Sequence, residues 1–180
     1  TDPISVSTTF TYNGFGEVIR EVSPDRGTNT YWYDAAGQMI KSSDGRGQVI
    51  DYTRDYLGRV TAKVPQGRPS SETVQYVWDT GGLSVSYAIG RLGKLVDGTG
   101  ETLFRYDYRG NLSAQQQTIG ATTGALLAFE RDLANRITQV TYPSGRIVQY
   151  GYDSKGRVNL VQTKASAATG SWTTIANSYT

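Results

Sequence analysis

Seven positions of the chain share one setting, a residue that closes an aromatic run: Asn13, Asp34, Asp55, Asp79, Asp107, Asp132 and Asp153. Paired carboxylates are the general acid and the nucleophile or base of glycosidic-bond hydrolysis, so a series of aspartates is the first candidate for chemistry. Its company narrows the choice. The 180 residues contain no His and no Cys. Imidazole acid–base catalysis, Ser-His-Asp and Cys nucleophiles, disulfides and thiolate or imidazole metal sites are thereby excluded, while the redox compartment stays open.

Other candidates are weaker. The strings DGRGQ from Asp44 and DGTGE from Asp97 are oxygen-rich, but neither has the ligand spacing of a calcium loop, and both read as turns. The glycines of GRLGKLVDGTG fit neither a dinucleotide fingerprint nor a phosphate loop. No metal and no cofactor is expected. Arginine outnumbers lysine, 13 to 5, within a net charge of only +2, which gives no nucleic-acid surface. Arg59, Arg136 and Arg157 follow the repeated turn, and Arg20, Arg46, Arg91, Arg105, Arg109 and Arg146 lie near other turns. Exposed Arg beside Tyr could bind an anionic glycan; the preferred reading is that these arginines pair with Asp and stack on Tyr inside the sheet. The sequon NLS at Asn111 follows a turn directly, a poor position for a glycan acceptor.

The elements that carry these residues are repeats. The aromatic-x-aromatic-Asp signal recurs as FTYN, YWYD, YTRD, YVWD, FRYD, FERD and YGYD, in steps of 21, 21, 24, 28, 25 and 21 residues. Three residues after the Asp comes Gly16, Gly37, Gly58, Gly82, Gly110, Asn135 or Gly156, and two further on an apolar residue in six copies. Asp at the first and Gly at the fourth position of a type I turn, with the Gly left-handed, make the bulged connection between two twisted antiparallel strands. TVQYVWD and IVQYGYD alternate with period two, and helical spacing is not sustained. A second turn signal lies between copies, at PDRG, DGRG, PQGRP, DGTG, GATTG and PSG. Each copy is therefore predicted to be a β-hairpin of about 21 residues, and successive hairpins to pair into one coiling antiparallel sheet in an all-β chain. On it, Phe10, Tyr12, Tyr31, Tyr33, Tyr52, Tyr76, Trp78, Phe104, Tyr106, Phe129, Tyr150 and Tyr152 are expected to form an aromatic ladder, stacking across strands. Arg54 and Arg131, which take a Tyr position, are expected to stack in it, and Asn135 to hold the Gly slot because Asn tolerates the left-handed conformation. The Asp series is thus read as a set of turns in preference to an active site, and the chain as no enzyme.

YGYDSKGRV, YWYDAAGQM and YTRDYLGRV resemble the YD repeat, also called the RHS repeat, and the resemblance covers about residues 10–162 in seven copies. That family includes bacterial Rhs and wall-associated toxins, C components of insecticidal toxin complexes, and teneurins. The resemblance implies a β-strip that spirals into a hollow shell, secreted or on the cell surface. In toxins the shell encloses a toxic domain; in teneurins it belongs to an adhesion receptor. The expected partners are neighbouring repeats and an enclosed toxin domain, with a glycan as the rival and no membrane, since no apolar run approaches about 18 residues. Residues 1–180 read as an excised stretch of one repeat region. It carries an atypical insertion at 80–101, an incomplete eighth copy at Tyr179, and open strand edges that invite self-association. No match to the family's self-cleaving region is found, and Asp2-Pro3 is too short a string to count.

Overall fold

A computed structural model describes residues 7–84, 87–166 and 170–177; Asp2-Pro3, Tyr179 and part of the insertion lie outside the described residues. The chain is all-β, and the described strand pairings are antiparallel. It divides into two compact units, Thr1–Tyr76 and Val77–Thr180.

In the first unit the strands follow chain order: β1 (Thr9–Tyr12), β2 (Val18–Ser23), β3 (Gly27–Tyr33), β4 (Met39–Ser43), β5 (Val49–Arg54), β6 (Val60–Pro65) and β7 (Val74–Trp78), whose last residues enter the second unit. A single 3₁₀ turn, Ser70–Glu72, leads into β7. The second unit continues with β8 (Leu92–Asp97), β9 (Gly100–Tyr106), β10 (Leu112–Ile119), β11 (Thr122–Thr123), β12 (Leu127–Arg131), β13 (Ile137–Thr141), β14 (Ile147–Tyr152), β15 (Val158–Lys164) and β16 (Thr173–Asn177). Here too neighbours in sequence are neighbours in the sheet, except that β11 pairs only with β10, which goes on to β12. This is the succession of hairpins that the repeat implied. Among the described residues no helix is long and apolar enough to cross a membrane.

The register shifts by one residue just before the repeated turn in five hairpins, at Thr11/Tyr12, Trp32/Tyr33, Thr53/Arg54, Glu130/Arg131 and Gly151/Tyr152, and just after it in a sixth, at Leu112/Ala114. One extra residue on one strand is what a left-handed fourth turn position adds.

Burial is shallow. Ala88, Ala114, Val140 and Ile147 are the buried apolar residues and Glu21, Ser23 and Thr163 the buried polar ones, and no large side chain among the described residues is fully buried. Cohesion comes instead from cross-strand neighbours. On one face of the second unit, Glu130, Gln139, Gln149 and Gln162 stand in register across β12 to β15. Gln162 donates to Gln149 (3.1 Å), Gln149 to Gln139 (2.9 Å) and Gln139 to the Glu130 carboxylate (2.8 Å). Such a one-way chain polarises each amide in turn and ends on a charge.

Candidate functional site

The Asp series was the candidate for chemistry, and the geometry is uniform around six of its seven members. At Asp34 the backbone N–H of Gly37 donates to the Asp34 carbonyl (3.1 Å), and the Asp34 N–H donates to the carbonyl of Gln38 (2.9 Å). One side-chain oxygen, Oδ1, accepts from the N–H of Ala36 and of Gln38, both at 2.9 Å. The same two side-chain bonds form at Asn13, Asp55, Asp107, Asp132 and Asp153, with distances of 2.8–3.0 Å. The fourth turn residue is left-handed in every case: φ is +84° at Gly16, +75° at Gly37, +79° at Gly58, +86° at Gly110, +69° at Asn135 and +82° at Gly156. A second carboxylate oxygen then takes the Nε of the arginine four residues on: Arg59 on Asp55, Arg136 on Asp132 and Arg157 on Asp153, each at 2.7 Å. On Asp107 the place of the arginine is taken by the Asn111 amide at 3.1 Å.

A carboxylate so engaged is a turn anchor and a poor proton carrier. For Asp55, Asp107 and Asp132 desolvation is the largest single influence and pushes the carboxyl up, but the combined side-chain and backbone donors outweigh it, and all three lie below the usual range. For Asp44 and Asp153 the backbone N–H at the fourth residue on leads, and for Asp97 the Thr99 hydroxyl; these too are lowered. A group lowered in the folded state contributes stability above its unfolded value, roughly 3.9, and loses it as the pH falls through the folded value. The Tm should therefore drop as pH is lowered from about 5 to about 2. Asp132→Asn, which keeps the amide acceptor used at Asn13, should flatten part of that drop; a Tm independent of pH across this window would contradict the assignment.

The fourth copy departs from the sequence reading. Asp79 is itself left-handed, with φ of +68°, and Thr80 N–H donates to the Trp78 carbonyl at 2.7 Å across it. Asp79 N–H donates to the carbonyl of Arg91 (2.9 Å), as Asp34 does to that of Gln38, and Oδ1 of Asp79 accepts from Gly90 N–H (2.6 Å). Gly90, with φ of +78°, thus holds the turn slot assigned to Gly82, and Gly90-Arg91-Leu92 completes the repeat. The insertion sits inside the turn, between Asp79 and Gly90, rather than across 80–101, because β8 resumes the repeat at Leu92. It folds back on β9, with Leu83 N–H donating to the carbonyl of Phe104 (3.0 Å) and Tyr87 N–H to that of Tyr106 (3.3 Å).

Two contacts link one copy to the next. First, in four cases the residue after a turn glycine, or after Asn135 in that slot, reaches over the glycine of the following copy. A Cβ built on Gly37 would lie 2.7 Å from Glu17 Oε1, one on Gly58 2.7 Å from Gln38 Nε2, one on Gly156 3.4 Å from Arg136 Nη1, and one on Gly110 against the Arg91 guanidinium. At Asn135 the neighbour is Asn111, and the two carboxamides bond reciprocally, at 2.8 and 3.3 Å. Second, the third residue of the signal donates to a carbonyl of the preceding copy: Tyr33 to Val18 (2.8 Å), Tyr106 to Leu92 (2.9 Å) and Tyr152 to Ile137 (2.6 Å). Arg54 does the same, with Nη2 on the Met39 carbonyl (3.0 Å) and Nη1 on that of Gly58 (2.8 Å). Arg131 donates to the Asn135 carbonyl at 3.4 Å, and the Nε atoms of Arg54 and Arg131 are buried without a hydrogen-bond partner.

This revises the ladder. The residues directly opposite Phe10, Tyr31, Tyr52, Phe104, Phe129 and Tyr150 are Glu21, Ser42, Lys63, Gln115, Val140 and Val161. Aromatic rows thus fall on alternate strands, about 9.6 Å apart, beyond the 4.5–7 Å of ring pairing. Hydroxyls do what stacking was expected to do: Tyr31 donates to Glu21 (3.1 Å) and Tyr52 bonds Ser42 (3.1 Å). Cations fill some of the space between rings, with Arg136 4.3 Å over Tyr152, Arg91 5.8 Å over Tyr106 and Lys63 5.6 Å over Tyr76. Tyr12 and Phe10 are exposed, and Trp78 closes β7. Among the described residues no group of three or more acidic side chains is gathered for a metal ion.

The family model described as RHS Repeat matches residues 33–69 and 131–171. No curated protein matches the sequence. Among solved structures, the chain is similar to one described as TcdB2-TccC3 without hypervariable C-terminal region, with a TM-score of 0.82 at 14% identity over 99% of this chain and 10% of that one. The structure of TcdB2-TccC3-Cdc42 gives 0.80 at 13% identity over 96% of this chain and 10% of that one. TcdB2-TccC3-TEV gives 0.79 at 15% identity, over 99% and 10%. The chain spans about a tenth of the length of these structures, and at such identities the likeness is one of fold.

Proposed function

We propose that this chain, two stretches of which match the RHS Repeat model, is a non-catalytic stretch of wall in a secreted β-shell that encloses a toxin's effector domain. The observation that carries the reading is where the polar side chains are spent. The turn carboxylates hold their own turns, and the Tyr or Arg directly before the turn aspartate ties its copy to the one before, as Tyr33, Arg54, Tyr106 and Tyr152 do. A side chain whose donors and acceptors are used to join strands is available for mechanics rather than turnover. The shallow burial of the sheet supports the same role, since a strip with half-exposed faces suits a longer assembly that covers one of them.

The test is limited proteolysis of the intact parent chain, with the products identified by mass spectrometry. A segment enclosed by the wall should resist protease until the shell is denatured, and then be cut as fast as the isolated segment. Equal cleavage rates before and after denaturation would overturn enclosure. Specific retention on a glycan array that disappears in Arg109→Ala would replace it with the adhesion reading.

A further inference from the structure

The two long edges of the first unit differ in chemistry. In a sheet whose strands follow chain order, successive turns fall on alternate edges, so the turns 13–16, 34–37 and 55–58 share one edge and 24–27, 44–47 and 66–68 the other. The middle residues of the first set are Gly14 and Phe15, Ala35 and Ala36, Tyr56 and Leu57. Phe15 is 93% exposed and Leu57 77%, and Tyr56 is fully exposed. Turn tips are ordinarily polar, and the turn itself asks nothing of these two positions, since the Asn or Asp before them supplies the bonds. The opposite edge presents Arg26, Arg46 and Arg68. Each is held by an acceptor of its own unit: Arg26 by Glu21, Arg46 by Asp44 at 3.1 Å and Arg68 by Gln48 at 2.9 Å. The side chains of Arg26 and Arg46 remain 68% and 89% exposed.

We propose that the apolar edge of the first unit docks on the arginine edge of a second copy of this chain. Three observations select that occupant. A guanidinium binds an aromatic face, and this chain already uses the contact, with Arg136 over Tyr152 at 4.3 Å and Arg109 over Tyr108 at 5.4 Å. The three arginines are tethered in advance, which lowers the ordering cost of docking. Both edges belong to the same sheet, so tips recur on each every second strand, about 9.6 Å, and one copy presents arginines at the period at which another presents Phe15, Ala36 and Tyr56. The contact is head-to-tail: a docked copy keeps one edge of each kind open, so a further copy can add.

Sedimentation velocity of the chain at increasing concentration tests this, with Phe15→Ser/Tyr56→Ser/Leu57→Ser as the tip variant and Arg46→Gln/Arg68→Gln as the edge variant. The substituted side chains are exposed, and an unchanged circular dichroism melt confirms that each variant folds. The unaltered chain should grow with concentration, and each variant should associate at least about tenfold more weakly, a change of about 1.4 kcal/mol. A mixture of the two variants retains one intact edge of each kind and should form a one-to-one pair that grows no further. A chain that stays monomeric, or variants that associate as strongly as the parent through the open edges of β1 and β16, would overturn the proposal. So would a mixture no more associated than its components.

Discussion

Asn135→Val is expected to destabilise the fold by about 2–3 kcal/mol, a fall in Tm of several degrees for a chain of this size. The reason is local. Asn135 has φ of +69°, and its N–H donates to the Asp132 carbonyl at 3.0 Å to close the turn. A β-branched side chain at that φ meets its own backbone, and the chain escapes only by opening the bulge that sets the register of β12 on β13. Valine also removes the carboxamide that pairs with Asn111. Asn135→Gly separates the two effects. It relaxes the backbone but loses the amide pair and adds freedom to the unfolded chain, so its net change should stay within about 0.5 kcal/mol. The measurement is urea unfolding of the two variants and of Asn111→Ala. If glycine costs as much as valine, the carboxamide pair and not the backbone is the reason for Asn135.

Half of that argument was legible in the sequence. Seven spaced signals, with Asp or Asn three residues before Gly or Asn, are a local code: turn, bulge and hairpin follow from the dihedral preferences of single residues, with no knowledge of what packs where. The second reason for a small residue in the slot was hidden, because it depends on a side chain 20 or so residues earlier lying across it. Yet a trace of it is in the row. The one copy with Asn in the Gly slot follows the one copy with Asn directly after its turn glycine, and the pairing of Asn111 with Asn135 is the structural reason. The fourth copy shows the opposite failure. Gly82 stands at the regular distance from Asp79, and counting chose it, although IGRLGK contains Gly-Arg-Leu, a near match to the Gly-Arg-Val that ends the copies at 58–60 and 156–158. Chemistry was the better guide than spacing there, since the insertion moved the glycine without changing what must follow it. The tyrosines misled in a different way: their rings suggested stacking, whereas alternate-strand spacing keeps the rows apart and leaves the hydroxyl tip as the part that reaches the next copy.

That reach makes Arg54 the most informative single residue of the chain. Arg54 takes a Tyr position, and one reading of the exchange is that guanidinium and phenol are both flat. The structure offers a sharper equivalence, because Arg54 Nη2 lies on the Met39 carbonyl where the hydroxyls of Tyr33 and Tyr152 lie on the carbonyls of Val18 and Ile137. What the position requires is a long side chain with a donor at its tip. Arg54→Phe keeps a flat ring and loses every donor, leaving the half-buried carbonyls of Met39 and Gly58 without these bonds, a cost of about 1–3 kcal/mol. Arg54→Tyr restores a donor for the Met39 carbonyl, forfeits the bond to Gly58, and removes the buried Nε that lacks a partner, so it should recover at least about 1 kcal/mol relative to phenylalanine. Tyr152→Phe is the reciprocal case, and with a single 2.6 Å bond at stake it should cost about 1 kcal/mol. Calorimetric melting of the three variants decides the matter. Phenylalanine and tyrosine at position 54 with the same Tm would mean that the ring plane, and not the donor at its end, joins one repeat to the next.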